Sequence, residues 1–115
     1  MYSGTADKWH AMGVTGTSTA TTGTWYHLCV TRDGSSGLTL YVNGTSEATG
    51  TVTTSIGSGT TYIGGLTSGT EQWNGRIDEL SVWDRELTSA EVTTIYNSGS
   101  GKQLNKNWIE RGTAI

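Results

Sequence analysis

The segment GRIDELSVWDRELTSAEVTTIY, residues 75–96, predicts a buried strand that runs directly into a capped amphipathic helix. The first part has the length of a strand and carries four apolar side chains, Ile77, Leu80, Val82 and Trp83. The second part carries a helix-start signature. Thr88 is a natural N-cap, and Glu91, three residues later, completes a capping box.

Both ends of the predicted helix are marked in the sequence. Leu87 is placed to pack on Val92 as a hydrophobic staple at the start of the helix. Gly99 is the expected C′ residue, because glycine adopts a left-handed conformation without strain. The helix is predicted near residues 88–98. It is expected to bury three side chains, Val92, Ile95 and Tyr96.

Length and composition indicate one β-rich domain. A chain of 115 residues is large enough for a single core and too short for two, so residues 1–115 are expected to form one domain. The chain has 17 Gly, many Thr and Ser, and no Phe or Pro, which suits short Thr-rich strands broken by turns. Disorder is the alternative for such polar tracts. Five Trp and five Tyr beside alternating aliphatic residues argue for a packed core instead.

The charge and hydropathy of the chain argue against nucleic acid and membrane as partners. A formal charge of −3 provides no overall attraction for a polyanion. Three cations of the tail, Lys102, Lys106 and Arg111, are typical of a solvated end. No apolar run approaches the roughly 20 residues that span a bilayer, and the N-terminus lacks the regions of a signal peptide. The compartment stays open, since signal peptides are removed from mature proteins.

The middle of the chain predicts three antiparallel strands. In residues 24–31 the side chains would alternate between the two faces of a strand. Both faces would be rather apolar, as in a central strand of a sandwich. After a turn-rich connection at residues 32–37, residues 38–42 form a second alternating run. The dipeptide Asn43-Gly44 follows, and it is the strongest short signal for a type I′ hairpin. A third strand is therefore expected over about residues 47–52.

Further strands are predicted from weaker patterns of apolar side chains. Residues 60–63, 73–83 and 9–14 are candidates, whereas residues 15–24 are nearly all Thr, Gly and Ser and show no usable periodicity. Residues 103–115 hold enough apolar side chains to dock one edge strand, namely Leu104, Trp108 and Ile109.

Two blocks of the sequence resemble the laminin G-like and pentraxin group of concanavalin A-like jelly rolls. The block TWYHLCVTRDGSSGLTLYVNG, residues 24–44, resembles the group's Trp-x-His strand and its aromatic-Val-Asn-Gly hairpin. Residues 75–96 resemble its strand, Trp-Asp pair and Leu-x-x-x-Glu helix. The resemblance implies an all-β jelly-roll β-sandwich with one short C-terminal helix. A similar fold alone is weak evidence for function.

The resemblance also implies that part of the usual domain is missing. Members of the group have a set of strands before the Trp-x-His strand, whereas 24 residues precede Trp25 here. A half sandwich leaves strand edges unpaired, so we expect a homodimer or higher assembly through exposed strand edges, or a fragment of a longer protein. In the pentraxin branch, the Cys of this strand forms a disulfide with a Cys of the earlier half, which is missing here. Cys29 is the only Cys of the chain, so a buried free thiol is expected, with an intermolecular disulfide as the alternative.

Constellations for catalysis and zinc have little support. Glycoside hydrolases on jelly rolls need two carboxylates about 5 Å apart on one face. Asp78 and Glu79 are adjacent, so on a strand they would point to opposite faces, and Asp84 lies near the helix entrance. We expect a hydrogen-bonded structural Asp78, an exposed Glu79 and no catalytic residue. His10 and His27 lack neighbouring ligands at the spacing of a zinc site.

Calcium is bound by many laminin G-like and pentraxin domains through loop carboxylates and carbonyl oxygens. Such a site needs six to eight oxygen ligands, whereas the loop at residues 65–72 carries a single acid, Glu71. A calcium-dependent lectin would require Glu71 and a partner chain to assemble the site. We predict no cofactor and keep Glu71 as the calcium candidate.

A ligand-binding loop is the best supported site. Glu71, Gln72, Trp73 and Asn74 combine an aromatic face, on which a sugar ring stacks, with polar groups that bind hydroxyls. The alternative is that Trp73 belongs to the core, as Trp at a strand entrance commonly does.

These observations favour a non-catalytic recognition or adhesion module whose ligand is a carbohydrate, so a glycan is the expected partner. The alternative is a structural accessory domain of a larger secreted or virion-surface protein, without a ligand of its own. A glycoside hydrolase fragment is third, because the sequence does not supply the carboxylate pair. A secreted, virion-surface or cell-surface location is favoured over the cytoplasm.

Overall fold

The structure is a computed structural model, and it describes residues 2–3, 7–53, 60–65 and 72–102. These residues form two antiparallel sheets of three strands each and one short helix. The first sheet has the order β1-β2-β3, with β1 at Tyr2–Ser3, β2 at Lys8–Ala11 and β3 at Val14–Thr19. The second has the order β4-β5-β6, with β4 at Leu28–Arg32, β5 at Gly37–Val42 and β6 at Thr45–Thr51. Helix α1 spans Ser89–Tyr96, and a 3₁₀ turn follows at Asn97–Gly99.

The second sheet confirms the predicted pair of hairpins, although the first strand begins at Leu28 and residues 24–27 of the predicted strand are irregular. β4 pairs with β5 throughout, and the turn between them is held by the Asp33 carboxylate. This carboxylate accepts hydrogen bonds of 2.7 to 2.8 Å from three main-chain N–H groups, those of Ser35, Ser36 and Gly37. The bonds lower the pKa of Asp33. At the next turn, Asn43 (φ 50°) and Gly44 (φ 77°) are both left-handed, as a type I′ hairpin requires, and β6 follows at once.

Strand β5 lies at the centre of the fold, because both of its faces are buried. One face carries Leu40 and Val42, which pack with Trp9 and Ala11 of the first sheet. The opposite face carries Tyr41, which packs with side chains of α1 and its entrance, Leu87, Val92 and Ile95. The described residues therefore form three layers, in the order first sheet, second sheet and helix.

Glu47 links the two sheets. It is the extra residue of a β-bulge in β6. Its carboxylate accepts hydrogen bonds from the main-chain N–H groups of Thr17 and Ser18, both at 2.9 Å, and from the Ser18 hydroxyl. Burial alone would raise the pKa of Glu47, but these hydrogen bonds and the charge of Lys8 lower it. The ionised carboxylate thus fixes β3 against β6.

Glycine permits this close approach of the sheets. Gly16 of β3 is buried, and a Cβ at that position would lie 2.6 Å from Glu47 Oε2. A Cβ on Gly50 of β6 would overlap the Val14 side chain. The sequence did not predict a strand in residues 15–24, because after Val14 strand β3 consists of Gly, Thr and Ser and has no apolar alternation.

Two of the predicted strands are wrong. Residues 9–14 are not one strand, because a turn at Met12-Gly13 separates β2 from β3. Residues 60–63 are irregular, and the regular pairing near them is a single bridge between Gly65 and Gln72. The edge strand predicted in residues 103–115 lies outside the described residues.

The buried strand predicted over residues 75–83, within the longer candidate 73–83, is also wrong. Ile77, Leu80 and Val82 are 47%, 60% and 91% exposed, and the segment is irregular. Of the four apolar side chains, only Trp83 packs against the core, on the cluster that contains Tyr41 and Leu87. The reason is that no strand of the described residues pairs with this segment, so its apolar pattern has no sheet to join.

The helix confirms the predicted capping box. Thr88 Oγ1 accepts a hydrogen bond from Glu91 N–H at 3.2 Å, and the Glu91 carboxylate accepts one from Thr88 N–H at 2.9 Å. Arg85 donates two further bonds of 2.8 Å to this carboxylate. The bonds from Arg85 and Thr88 lower the pKa of Glu91 to about 2. The left-handed cap at the other end is Asn97 (φ 48°) rather than the predicted Gly99.

The packing of the helix follows the sequence pattern. Leu87 and Val92 are buried in one cluster, as the predicted staple requires. Val92 and Ile95 are buried as predicted, whereas Tyr96 is half-buried at the end of the helix. Full burial of an aliphatic side chain of this size contributes about 1.5 to 3 kcal/mol, so this face is what holds α1 on the sheet.

Candidate functional site

Three aromatic rings form a stack at one side of the first sheet. Trp9 of β2 is buried, with 4% of its surface exposed. Trp73 lies over it with 6.2 Å between ring centroids and 22° between ring planes. Tyr26 packs on Trp9 at 5.0 Å and 59°. We call Trp9, Tyr26 and Trp73 the aromatic stack.

The main chain holds Trp73 in this position. Its N–H donates a hydrogen bond of 2.8 Å to the Gly64 carbonyl oxygen, next to the bridge between Gly65 and Gln72. Gly75 lies close to the indole, since a Cβ there would be 3.0 Å from Trp73 Nε1. The ring is therefore fixed by a main-chain bond, by the face of Trp9 and by a glycine that leaves room for its edge.

Tyr26 is fixed in the stack through its hydroxyl. The hydroxyl donates to the Thr19 carbonyl oxygen at 3.2 Å and accepts from the Thr21 N–H at 3.1 Å. Both partners belong to the end of β3 or the turn after it. The buried base of the stack is thereby tied to the first sheet.

The predicted ligand-binding residues divide between described and undescribed parts of the chain. Trp73 is 37% exposed, so its side chain is neither buried in the core nor fully exposed to solvent. Gln72 and Asn74, on either side of it, are exposed. Glu71 lies outside the described residues, and so does any calcium site that depends on it. The sequence predicted the exposed members but not Trp9 and Tyr26, which support them from segments distant in sequence.

His27, directly before β4, and the end of the helix meet at a second cluster. His27 N–H donates to Asn43 Oδ1 at 2.9 Å, and Asn43 N–H donates to the His27 carbonyl oxygen at 2.8 Å. The His27 ring packs on Tyr96 with 5.9 Å between ring centroids. Burial lowers the pKa of His27, so the ring is neutral at pH 7.

The three carboxylates considered as catalytic candidates, Asp78, Glu79 and Asp84, are all exposed. Asp78 Oδ1 accepts a hydrogen bond from the adjacent Glu79 N–H at 2.9 Å, and Glu79 is exposed, both as expected. Asp84 is exposed near the start of the helix. Among the residues that the structure describes, no group of three or more His, Cys, Asp or Glu side chains is placed to hold a metal ion.

Cys29 is a free, half-buried thiol that packs beside Tyr41. Burial raises the pKa of Cys29 to about 11, so the thiol is protonated at pH 7. A protonated thiol is a poor nucleophile, and the side chain acts as a small apolar group in the core.

Comparison with known proteins identifies the family. Residues 1–93 match the model of a laminin G family described as the concanavalin A-like lectin/glucanases superfamily. The chain belongs to this superfamily. The two sheets and the short C-terminal helix agree with a partial sandwich of the superfamily, so the fold implied by the sequence resemblance is confirmed.

Two similar proteins match this chain over part of their own length. The human adhesion G-protein coupled receptor D1 is 33% identical over 87 residues, which cover 68% of this chain and 10% of the receptor. A crystal structure of an S-layer domain-containing protein from Clostridium thermocellum, residues 221–444, is 26% identical with a TM-score of 0.58. That match covers 72% of this chain and 44% of the other. In the part of this chain that is described, no helix has the length and hydropathy to cross a bilayer.

Proposed function

We propose that this chain is a non-catalytic recognition or adhesion module that binds carbohydrate on the exposed side of Trp73. The observation that carries the proposal is the stacking of a 37% exposed Trp73 on the buried Trp9. A sugar presents an apolar face of C–H groups, and an indole ring provides the flat surface for it. Because Trp9 already fixes the ring, little side-chain entropy is lost on binding.

Polar side chains beside Trp73 supply the specificity that an aromatic face lacks. Gln72 and Asn74 are exposed, and each amide both donates and accepts hydrogen bonds, as pairs of sugar hydroxyls require. Glu71 is proposed as a third polar group, and it is the residue through which calcium would act if binding depends on calcium.

The relatives support a place outside the cell. One carries the name of an adhesion receptor and the other that of an S-layer domain-containing protein. We therefore propose an extracellular or surface location for this chain. Asp78 and Asp84 are exposed and lie six residues apart in the sequence, which favours recognition over hydrolysis, because hydrolysis needs a matched carboxylate pair.

A glycan array, probed with and without calcium, tests the proposal. We expect saturable binding that weakens by at least about fivefold in Trp73→Ala, taking for a sugar on the indole the 1 to 3 kcal/mol, in order of magnitude, that a base stacked on an aromatic ring contributes. Trp25→Ala is the matched control, because Trp25 is 61% exposed and is not part of the aromatic stack. Binding lost equally in both variants would contradict the assignment of the site.

A structural accessory domain is the second candidate. The larger size of both relatives favours it, because a domain that forms part of a long protein can act as a spacer. If the folded chain binds no glycan on the array, that result would support this candidate. Turnover of a glycan that is abolished by Asp78→Asn or Glu79→Gln would instead show a glycoside hydrolase.

A further inference from the structure

The chain contains two Asn-Gly dipeptides, which the fold holds in different ways. Asn43-Gly44 forms the type I′ turn between β5 and β6, whereas Asn74-Gly75 follows Trp73 in an irregular, exposed segment. Asparagine before glycine is prone to lose its side-chain amide, because glycine has no Cβ to hinder attack by its own nitrogen. The two dipeptides therefore share one chemistry and differ in their surroundings.

The loss of the amide requires only the two residues and water. The glycine nitrogen bonds to the side-chain carbonyl carbon of the asparagine, and the proton of that N–H ends on the amide NH₂ group, which leaves as ammonia. Water then opens the resulting cyclic succinimide. Opening at the side-chain carbonyl gives aspartate, and opening at the main-chain carbonyl gives isoaspartate, whose main chain is longer by one carbon. Either product carries a carboxylate in place of the neutral amide.

The hairpin restrains Asn43 against this reaction. Asn43 Oδ1 accepts a hydrogen bond from His27 N–H at 2.9 Å, and Asn43 N–H donates to the His27 carbonyl oxygen at 2.8 Å. His27 precedes β4, whereas Gly44 leads into β6 on the other side of β5, so the first bond turns the side chain away from the Gly44 nitrogen. Because the side chain must leave His27 and the turn must rotate before attack, we expect these bonds to slow the reaction at least about tenfold.

Asn74 lacks such restraints. Asn74 and Gly75 are both exposed, and in the described part of the chain neither residue forms a hydrogen bond. The nearest bond joins the Trp73 N–H to the Gly64 carbonyl oxygen at 2.8 Å, and it fixes neither the Asn74 side chain nor the Gly75 nitrogen. These two groups can therefore meet without the loss of any hydrogen bond.

A change at Asn74 would act directly on the aromatic stack. Gly75 lies against the indole of Trp73, since a Cβ on Gly75 would be 3.0 Å from Trp73 Nε1. Isoaspartate at position 74 inserts a carbon into the main chain between Trp73 and Gly75, so it displaces this contact. The new carboxylate accepts hydrogen bonds but donates none, and it adds one negative charge to the formal charge of −3.

We propose that Asn74-Gly75 is a site of spontaneous deamidation, which converts the glycan-binding loop from a neutral form to an anionic form that binds more weakly, and that the hairpin protects Asn43-Gly44. The effect on binding rests on the proposed function, whereas the modification itself does not. Loss of the amide donor and displacement of the indole should together weaken glycan binding at least about threefold.

Peptide mapping by mass spectrometry, during incubation of the folded chain in warm, mildly alkaline buffer, tests the modification. We expect exchange of NH₂ for OH at Asn74 at a rate at least about tenfold above that at Asn43. In urea the two rates should converge, because unfolding removes the hairpin. Equal rates in the folded chain would overturn the proposal, and so would a difference that persists unchanged in urea. This comparison uses no glycan, so its failure is distinct from a failure of the proposed function.

Binding to the strongest glycan from the array tests the consequence. The unaltered chain should lose affinity as Asn74 is converted, whereas Asn74→Gln, aged in parallel, should keep its own starting affinity because the longer glutamine side chain cyclises far more slowly. Undiminished binding by the converted chain, or an equal loss in the variant, would overturn the effect on binding.

The Trp73 indole N–H signal gives a readout of the same effect without a glycan. In NMR spectra of the ¹⁵N-labelled chain this signal should move as Asn74 is converted, because Gly75 lies against Trp73 Nε1. The Trp25 signal is the internal control, since Trp25 is not part of the aromatic stack. A Trp73 signal that stays in place through full conversion would contradict the link between Asn74 and the stack.

Discussion

Glu47→Ala should destabilise the chain strongly, because this carboxylate holds the two sheets together. It accepts three hydrogen bonds from Thr17 and Ser18. Hydrogen bonds to a charged group contribute about 1.5 to 3 kcal/mol each. Thr17 is exposed, so water replaces its bond in the variant, whereas the Ser18 bonds are part-buried. Counting two bonds at the lower end gives a loss of about 3 kcal/mol.

Gly16→Ala tests the same contact from the opposite strand. Its new Cβ would lie 2.6 Å from Glu47 Oε2, so the carboxylate must move and lose part of its hydrogen bonding. The other close atoms, on Leu40 and Trp9, are at ordinary contact distances of 3.5 Å. The cost of Gly16→Ala should therefore largely disappear in a Glu47→Ala background. A double-mutant cycle should give a coupling of about 1 to 3 kcal/mol.

Urea unfolding, followed by Trp fluorescence, measures these free energies. Glu47→Gln is the control, because its amide oxygen still accepts from the two main-chain N–H groups, while the charge is lost and an NH₂ group replaces the oxygen that accepts from the Ser18 hydroxyl. We expect this variant to cost about 1 kcal/mol. A Glu47→Ala variant that loses less than about 1 kcal/mol would refute the reasoning. So would additive effects of Glu47→Ala and Gly16→Ala, since additivity means that the two positions do not touch.

Three further predictions concern the turn, the aromatic stack and the helix cap. Gly44→Ala should destabilise by about 1 to 2 kcal/mol in urea unfolding, because Gly44 has φ 77° and a Cβ there would lie 3.0 Å from Tyr96 Cδ1. Gly75→Ala should alter the near-UV circular dichroism and weaken glycan binding with little loss of stability, because its Cβ presses on Trp73 Nε1; an unchanged spectrum would contradict the contact. The folded-state pKa of Glu91 is lowered to about 2, so its stabilising contribution is present above the unfolded pKa of about 4.3 and is lost as the pH falls from there towards 2. Stability of Glu91→Gln, measured by thermal melts across this range, should depend less on pH than that of the unaltered chain.

The parts of the fold that the sequence predicted correctly are those with local signals. The Asn43-Gly44 turn fixes two left-handed residues, and the Thr88 and Glu91 capping box fixes the start of the helix. Both features are determined by a few neighbouring residues. They therefore needed no knowledge of distant contacts.

The parts that failed depend on what lies beside a segment. β3 forms from Val14 to Thr19 because Gly16 and Glu47 allow it to lie against the second sheet. Neither contact can be predicted from the sequence of β3 alone. Residues 75–83 have the apolar pattern of a strand, but no described strand pairs with them. For the candidate site, the sequence predicted Trp73 as a ligand-binding aromatic, with a core position as the alternative. It could not predict that Trp9 lies beneath it, because 63 residues of chain separate the two.

The most direct test of the carbohydrate site is an NMR titration of the ¹⁵N-labelled chain with the strongest binder from the glycan array, followed on the five Trp indole N–H signals. We predict that the Trp73 signal shifts with saturation, while the signals of Trp25 and Trp83, which lie outside the aromatic stack, stay in place. Shifts confined to Trp25 or Trp83, with Trp73 unmoved, would contradict the account.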